Sequence, residues 1–507
     1  MPPIAADDRT PIIIGIGEVT HRTKDPASGL EPIELMAQAL RSAVKDGHVA
    51  LNDLDSLDVV SCHSWSYADP AQSLAQRLGC LPARRTYGET GGETPVRFIH
   101  DAALRIARGE CQLAAVVGAE ARYTVEAAAK TGESLDWSPR DENVKVVRGA
   151  DFCAPVALRL GASSPAVIYP FYENATLAKW GLTPREAHQE SANLWSRYSQ
   201  VASSNPYAWR TRAFTPEEVG TPTAENRLIA WPYPKRMVAN PSVNMGAAVV
   251  LTSVAHARAV GIPENLWVYV WGGASAYEPR DFLQRDQFWR SHAQDVVLET
   301  VLAQVGGDPR AFEMLELYSC FPVVPKMARR TLSLGPEAQM TATGGLSFFG
   351  APMNNYMAHA AAGLVRALRA APGKVALLYG QGEYVTKHHA LVLGSHPSQA
   401  GLPESAYSVQ AAADARRGQV PPLVTEYQGR GVLETFTIVY GRNGEPTHGI
   451  VIGRTDTDAR FVARFIARVE SGDAFSLKFL TDPDRSPVGL AGRVTQSRDE
   501  LLWRVSP

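Results

Sequence analysis

The chain has 507 residues, 45% hydrophobic and 20% charged, a composition of folded globular proteins that excludes disordered, collagenous and coiled-coil chains. Fifty Lys and Arg stand against 52 Asp and Glu, and the net charge of −2 offers no field for nucleic acid or acidic membranes. Five cysteines (Cys62, Cys80, Cys111, Cys153, Cys320) are scattered, odd in number and without a CxxC pair, which argues against a disulfide framework and a zinc module. The start, Met1 to Arg9, lacks a basic region, the Ile12-Ile13-Ile14 run is too short for a signal segment, and no apolar stretch nears the ~18 residues of a membrane span. These features predict a cytoplasmic protein of about three domains, at ~150 residues each, with no nucleic-acid or membrane partner.

Strand and helix patterns alternate from the start. An apolar run over 11–16 predicts a buried strand, apolar spacing over 31–46 a helix, 57–61 a strand and 70–79 a helix. A helix over 95–108 has Thr94 as candidate cap, Pro95 at its first position and Gly109 at its close. Residues 113–118 and 249–253 read as strands. The order then recurs about 255 residues on: strand 266–271, helix 290–305, strand 314–318, helix 353–371, strand 374–379. Strands separated by helices predict a parallel, doubly wound sheet, and the recurrence a duplicated βαβαβ unit. Both long helices follow a glycine pair, Gly91-Gly92 and Gly344-Gly345.

Between the halves, 120–240 holds five of the ten Trp (Trp137, Trp180, Trp195, Trp209, Trp231), the mark of a packed lid rather than a bare loop. Residues 395–422 read as a linker with one short helix at 408–417. Strand patterns follow at 432–440, 448–454, 460–467, 475–480, 488–496 and 500–505, with a hairpin turn at Asn443-Gly444, and predict a small OB-like barrel. With 13 Lys and Arg against 12 Asp and Glu over 405–507, that barrel lacks the basic groove of a single-strand binder.

Several segments carry a family resemblance: Gly109-Glu110 leading into 114–120, Asn244 to Val250, Glu316-Leu-Tyr-Ser-Cys-Phe321, Thr343-Gly-Gly-Leu346 and Gly380-Gln-Gly382. Together they resemble the thiolase superfamily over about residues 10–395. Residues 169–174, 193–197 and 232–236 are most similar to type-1 thiolase-like proteins, often labelled acetyl-CoA acetyltransferases and carrying an added C-terminal domain. The resemblance implies an α/β, five-layer thiolase fold of two βαβαβ halves plus a C-terminal β-barrel. The implied domains are an N-terminal half (1–119 and 241–262), an inserted loop domain (120–240), a C-terminal half (263–394), a linker (395–422) and an OB-like barrel (423–507).

A thiolase needs a thiolate at a helix amino end, an activating histidine and a second cysteine for acid–base work. At the corresponding positions stand Gly92, Ala351 (in Gly350-Ala351-Pro352) and Leu378, so the usual Cys/His/Cys set is missing. Thr94, near the same helix mouth, reads as a cap rather than a nucleophile. Tyr318 to Phe321 replaces the Asn-Glu-Ala-Phe of ordinary thiolases and the His-Asp-Cys-Phe of sterol-carrier-type thiolases. Cys320 then matches an acid–base cysteine, and Tyr318 is similar to the tyrosine of thiolase-like steroid aldolases. Tyr356 is a candidate second phenol. Each also has a plain reading: Tyr318 as a bonded core tyrosine, Cys320 as packing. Ser242 falls near the family's pantetheine site, and Lys235 and Arg236 are candidates for the nucleotide phosphates of CoA or else solvated charges.

The resemblance implies coenzyme A, as its acyl thioester, for the ligand, no metal, and a monomer or homodimer. The leading expectation is an acyl-CoA-binding protein, acyltransferase by descent, without the covalent mechanism. The alternatives are a retro-aldol C–C lyase acting on a β-hydroxyacyl-CoA and a non-catalytic CoA-binding or scaffold protein. His359 reads as structural, and adjacent His388 and His389, on a strand, must face opposite ways.

Overall fold

A computed structural model describes residues 8–402, 407–465 and 473–506. The first seven residues, part of the expected linker (403–406), the end of the expected strand 460–467 and residues 466–472 and 507 of the expected barrel lie outside it.

Nine strands form the main sheet: β1 (Pro11–Thr20), β2 (Ser56–Val59), β3 (Arg84–Tyr87), β4 (Leu113–Ala121), β5 (Asn244–Ser253), β6 (Val268–Tyr277), β7 (Met314–Leu317), β8 (Val375–Gly382) and β9 (Lys387–Gly394). Their order is β3-β2-β4-β5-β1-β6-β9-β8-β7, and β1 and β6 meet over two residue pairs only. Outward from that seam β1, β5, β4, β2 on one side match β6, β9, β8, β7 on the other, so the two halves repeat one topology.

The expectation of a purely parallel sheet is corrected. β2, β3 and β4 are parallel, as are β7 and β8, but β5 runs against both β4 and β1, and β9 against both β8 and β6. Between β8 and β9 lie only residues 383–386. A parallel crossover needs a dozen residues or more, so this pair can only be a hairpin.

Helices α1 (Pro32–Asp46) and α2 (Pro70–Leu78) cover the outside of the first half. Two further helices, α3 (Thr94–Ala107) and α7 (Tyr356–Ala370), pack against each other and against strands of both halves, forming a middle layer. In α7 the buried run from Ala358 to Gly363 is almost all small, which lets backbone approach on every side. α4 (Pro165–Trp180) and α5 (Pro184–Ser204) build the insertion, and α6 (His292–Gln304) covers the second half. Thr94 does not cap α3 as expected: Glu93 holds the cap position, and Thr94 Oγ1 donates to Glu89 O at 3.1 Å.

The C-terminal strands β10 (Gly429–Tyr440), β11 (Pro446–Thr455), β12 (Arg460–Phe465), β13 (Ala491–Ser497) and β14 (Glu500–Val505) close a ring, β10-β11-β12-β14-β13-β10. One helix, Ala474–Leu480, lies where a strand over 475–480 was expected. Its residues favour a strand, but Asp473 accepts the Ser476 N–H at 3.0 Å as an N-cap, and Phe475 and Phe479 pair one turn apart at 4.8 Å. A five-stranded ring with this helix placement is OB-like.

The ring is anchored to the rest of the chain. Val439 of β10 pairs with Ala230 of the insertion, Asn174 Nδ2 donates to Phe436 O at 2.9 Å and Thr435 Oγ1 to Phe171 O at 2.5 Å. The fully buried Arg460 binds Glu434 at 2.8 and 3.0 Å and donates to Leu283 O at 2.6 Å and Arg285 O. Arg460→Ala leaves the largely buried Glu434 without this partner and two carbonyls without their donor, so we expect a loss of about 3–5 kcal/mol, read from the denaturant midpoint; a loss below ~1 kcal/mol would contradict this anchoring role.

His388 and His389 do face opposite ways: His388 Nδ1 lies 2.8 Å from the Tyr379 hydroxyl, and His389 Nε2 lies 2.9 Å from His100 Nδ1 on α3. Burial holds His100 and His388 down to about 3, and burial together with the neighbouring His100 and Arg97 holds His389 well below the ordinary imidazole range. Unfolded, these imidazoles titrate near ~6.5. The unfolded chain therefore binds protons that the fold refuses, so stability is full above pH ~6.5 and falls as pH drops towards 3. The limiting slope is about 1.4 kcal/mol per pH unit for each histidine. Urea midpoints at pH 7.5 and 5.0 check this, and equal midpoints would exclude it.

Candidate functional site

The amino ends of α3 and α7 meet strand β8 and the segment that follows β7. Tyr318 continues the β7 ladder, donating its N–H to Tyr379 O at 3.0 Å, and its side chain reaches the mouth of α3. A Cβ placed on Gly92 would collide with the Tyr318 hydroxyl and stand 2.5 Å from Gln381 O. Position 92, where the resemblance implies a nucleophile in ordinary thiolases, thus has no room for a side chain, and a phenol occupies the space. Among the described residues that hydroxyl has no hydrogen-bond partner.

The loop before α3 is tightly held. Lys387 Nζ, almost fully buried, donates to Thr90 O at 2.7 Å and lies 3.5 Å from Glu383 and 3.9 Å from Glu93. Gly91 donates its N–H to Asn354 Oδ1 at 3.0 Å, and Asn354 Nδ2 donates to Ser61 Oγ at 2.7 Å. Glu93 is buried, which pushes its carboxyl up while Lys387 opposes the shift, and its Oε2 is enclosed without a partner.

Cys320 Sγ lies 3.8 Å from Gln381 Oε1. Tyr169, from α4 of the insertion, donates to the same Oε1 at 2.9 Å and to Glu383 O at 2.7 Å, while its ring stacks on Phe321 at 4.5 Å. Burial pushes the Cys320 thiol up to about 12, and burial also raises Tyr318 and Tyr169 far above the ordinary phenol range. All three are therefore protonated near neutral pH, donors rather than bases.

The remaining expected residues are dispersed. Tyr356 lies edge-on to Tyr318, with ring centres 6.0 Å apart, but its hydroxyl is 2.6 Å from Thr343 Oγ1 and donates to Glu316 Oε1 at 2.7 Å. Ala351 is buried and donates its N–H to Asn240 O at 2.9 Å; the adjacent Ala239 N–H donates to Cys320 O at 3.2 Å, joining the two segments. Leu378 is fully buried within β8, in register with Glu316 and Leu391. Ser242 Oγ donates to Glu126 at 2.7 Å. Lys235 is exposed, and Arg236 Nη1 donates to Glu218 O at 2.6 Å. His359 is buried with Nδ1 2.9 Å from Glu18. Among the described residues no group of three or more His, Cys, Asp or Glu could hold a metal ion, and no helix is long and apolar enough to cross a membrane.

Sequence reasoning missed Tyr169, Gln381, Glu93 and Lys387. Tyr169 and Gln381 begin or lie within segments that carry the resemblance, and that was the available signal.

The family model of the thiolase-like protein type 1 additional C-terminal domain matches residues 409–499. A monomeric SCP2-thiolase like protein type 1 from Mycobacterium smegmatis matches at TM-score 0.82 and 28% identity, over 99% of this chain and 100% of that one. The chain is a thiolase-like protein with an added C-terminal domain. This thiolase-like protein shares its fold with the Ltp2-ChsH2(DUF35) aldolase (TM-score 0.58, 19% identity, 76% of this chain and 98% of that one). It shares it too with human mitochondrial 3-ketoacyl-CoA thiolase in complex with CoA (TM-score 0.56, 13% identity, 76% and 98%). A search of curated proteins found no match.

In this thiolase-like protein, Gly92→Ala forces the Tyr318 ring or strand β8 to shift and should cost about 1–3 kcal/mol. Adding Tyr318→Phe removes one of the two obstacles and should recover part of that loss. A double-mutant cycle on denaturant midpoints reads the coupling, and additive effects would contradict the contact.

Proposed function

We propose that this thiolase-like protein holds an acyl-CoA thioester in the cleft between the amino ends of α3 and α7 and forms no acyl-enzyme on it. The observation that carries this reading is the Tyr318 hydroxyl against the α-carbon of Gly92, with alanine at the position of the family's activating histidine. A thioester carbonyl entering this cleft meets neutral donors, Tyr318 and Cys320, instead of a thiolate. The CoA-bound thiolase of the same fold supports the ligand class.

A second reading is favoured by the unpartnered Tyr318 hydroxyl: retro-aldol cleavage of a β-hydroxyacyl-CoA. A base takes the β-hydroxyl proton, the Cα–Cβ bond breaks, its electron pair passes into the thioester enolate, and a donor protonates Cα. Protonated Tyr318 and Cys320 suit the last step and the polarisation of the thioester oxygen. They do not suit the first.

Calorimetry with acetyl-CoA on the full chain tests the main reading, with micromolar binding expected and absence of binding overturning it. With acetoacetyl-CoA and free CoA we expect no thiolysis, and turnover would overturn the non-covalent assignment. If a panel of β-hydroxyacyl-CoA thioesters is cleaved, Tyr318→Phe should lower kcat at least 100-fold, and undiminished turnover in that variant would exclude Tyr318 as the donor.

A further inference from the structure

Helix α4 of the insertion presents two buried phenols to the turn between β8 and β9. Tyr169 donates to Glu383 O at 2.7 Å and Tyr172 to Tyr384 O at 2.7 Å, while Val385 O accepts from the buried Arg285. Glu383 and Val385 hold φ of 55° and 59°, a left-handed backbone that few residues other than glycine adopt. The turn sustains it with a side-chain donor on each of these three carbonyls.

The single proton of the Tyr169 hydroxyl is shared between two acceptors, Glu383 O and Gln381 Oε1, the latter at 2.9 Å. Gln381 Nε2 donates to Gly382 O, so Oε1 is the amide atom turned to Tyr169 and Cys320. That oxygen takes hydrogen bonds from two side chains, the Tyr169 hydroxyl and the Cys320 thiol, whose Sγ lies 3.8 Å away. Packing holds the pair in place. Phe321, the residue after Cys320, stacks on the Tyr169 ring at 4.5 Å and meets the Tyr233 ring at 5.4 Å, and the Tyr233 hydroxyl donates to Glu173 of α4 at 2.7 Å.

A thiol that yields its proton in a buried site leaves a thiolate in need of a donor. Burial pushes the Cys320 thiol up to about 12, and a hydrogen bond from Tyr169 acts against that shift by favouring the thiolate. Glu383 O also receives Gln381 Nε2 at 3.5 Å, so it keeps a donor when the phenol turns from it to the sulfur.

We propose that Tyr169 is a positioning residue for Cys320: through the shared Gln381 Oε1 it holds the thiol as proton donor to the α-carbon of a thioester enolate, and it gives its own hydrogen bond to the sulfur once that proton has gone. In this step the enolate electron pair forms the new Cα–H bond, the S–H bond breaks, and its pair stays on sulfur. The proton that the base of the first step took from the β-hydroxyl then returns to the thiolate. The proposal rests on the retro-aldol reading above for the step, but not for the hydrogen bonds that fix the thiol. It also makes the donor depend on α4, the helix that binds the C-terminal ring.

Tyr169→Phe in the full chain tests this, because it keeps the ring on Phe321 and removes only the hydroxyl. The S–H stretching band of Cys320, assigned in infrared spectra by its loss in Cys320→Ala, should move to lower frequency in Tyr169→Phe, since the thiol gains sole use of Gln381 Oε1. Alkylation of Cys320 by iodoacetamide at pH 9, located by peptide mass spectrometry, should slow about fivefold as the thiolate loses its donor, whereas loosened packing would speed it. An unmoved band, or alkylation as fast as in wild type or faster, would overturn the positioning role. With the β-hydroxyacyl-CoA panel, Tyr169→Phe should lower kcat about tenfold and leave KM within about twofold. No cleavage by wild type, with the band still moved, would overturn the retro-aldol step and keep the hold of Tyr169 on the thiol. Cleavage with kcat undiminished in Tyr169→Phe would keep that reading and overturn the part given to Tyr169.

Discussion

The amino end of α3 approaches strand β8 and Tyr318 so closely that position 92 tolerates no side chain. The approach is enforced from several sides. Lys387 draws the preceding loop to strand β9, Asn354 fastens Gly91 to the loop at Ser61, and α7 shares the middle layer with α3. The absence of a side chain at position 92 and the place of the Tyr318 phenol are thus one packing constraint. A cysteine restored at 92 would need the tyrosine removed and the β8 carbonyl displaced. Protein interiors resist such local exchanges because neighbouring atoms already fill the space at near-crystalline density.

Charge around the site points the same way. The amino end of a long helix favours an anion, which is how this position would lower the pKa of a thiolate. Here Glu93 sits at the cap position of α3 as a buried acid whose carboxyl burial pushes up, while the nearby Lys387 ammonium favours its charged form. The positive end of the helix is met by an internal carboxyl group. On the opposite wall Glu316 receives the N–H groups of Ala342 (2.8 Å) and Thr343 (3.1 Å) and the hydroxyls of Thr341 and Tyr356. Burial pushes its carboxyl up to about 7 although these donors favour the anion. Glu316 thereby fixes the loop that leads to Ala351, and Tyr356 acts as one of its ligands rather than as a free phenol.

How legible this was in the sequence depended on the range of the interactions. Apolar periodicity placed the strands of both halves and the helices between them, because each is buried by its own pattern. It gave no orientation for the β8–β9 pair, which follows from a connection of four residues rather than from the strands. The helix at 474–480 reads as a strand from its phenylalanines, and the cap at Asp473 decides otherwise. Around the candidate site, Gly92, Tyr318, Cys320 and Ala351 could be singled out because each sits in a recognisable segment. Tyr169 and Lys387 were not found as site residues, since their meetings with Gln381 and Thr90 join positions 212 and 297 residues apart.

The same long-range logic joins the C-terminal ring to the site. Residues 120–240 and the ring read as separate units in sequence, yet helix α4 serves both. Phe171 and Asn174 bind β10 of the ring, Tyr172 donates to Tyr384 O at 2.7 Å, and Tyr169, less than one turn earlier, reaches Gln381 beside Cys320. One helix therefore carries the ring on one part of its surface and reaches Gln381, beside Cys320, with another. Its hydrogen bonds to the ring run through the backbone at Phe171 and Phe436, so they fix the height and rotation of α4 regardless of the side chains at those positions. Rotation of α4 by a fraction of a turn would break the bonds to β10 and withdraw the Tyr169 hydroxyl from Gln381 together. The added domain is in this sense coupled through α4 to the segment beside Cys320, although among the described residues none of its own is placed beside Tyr318 and Cys320.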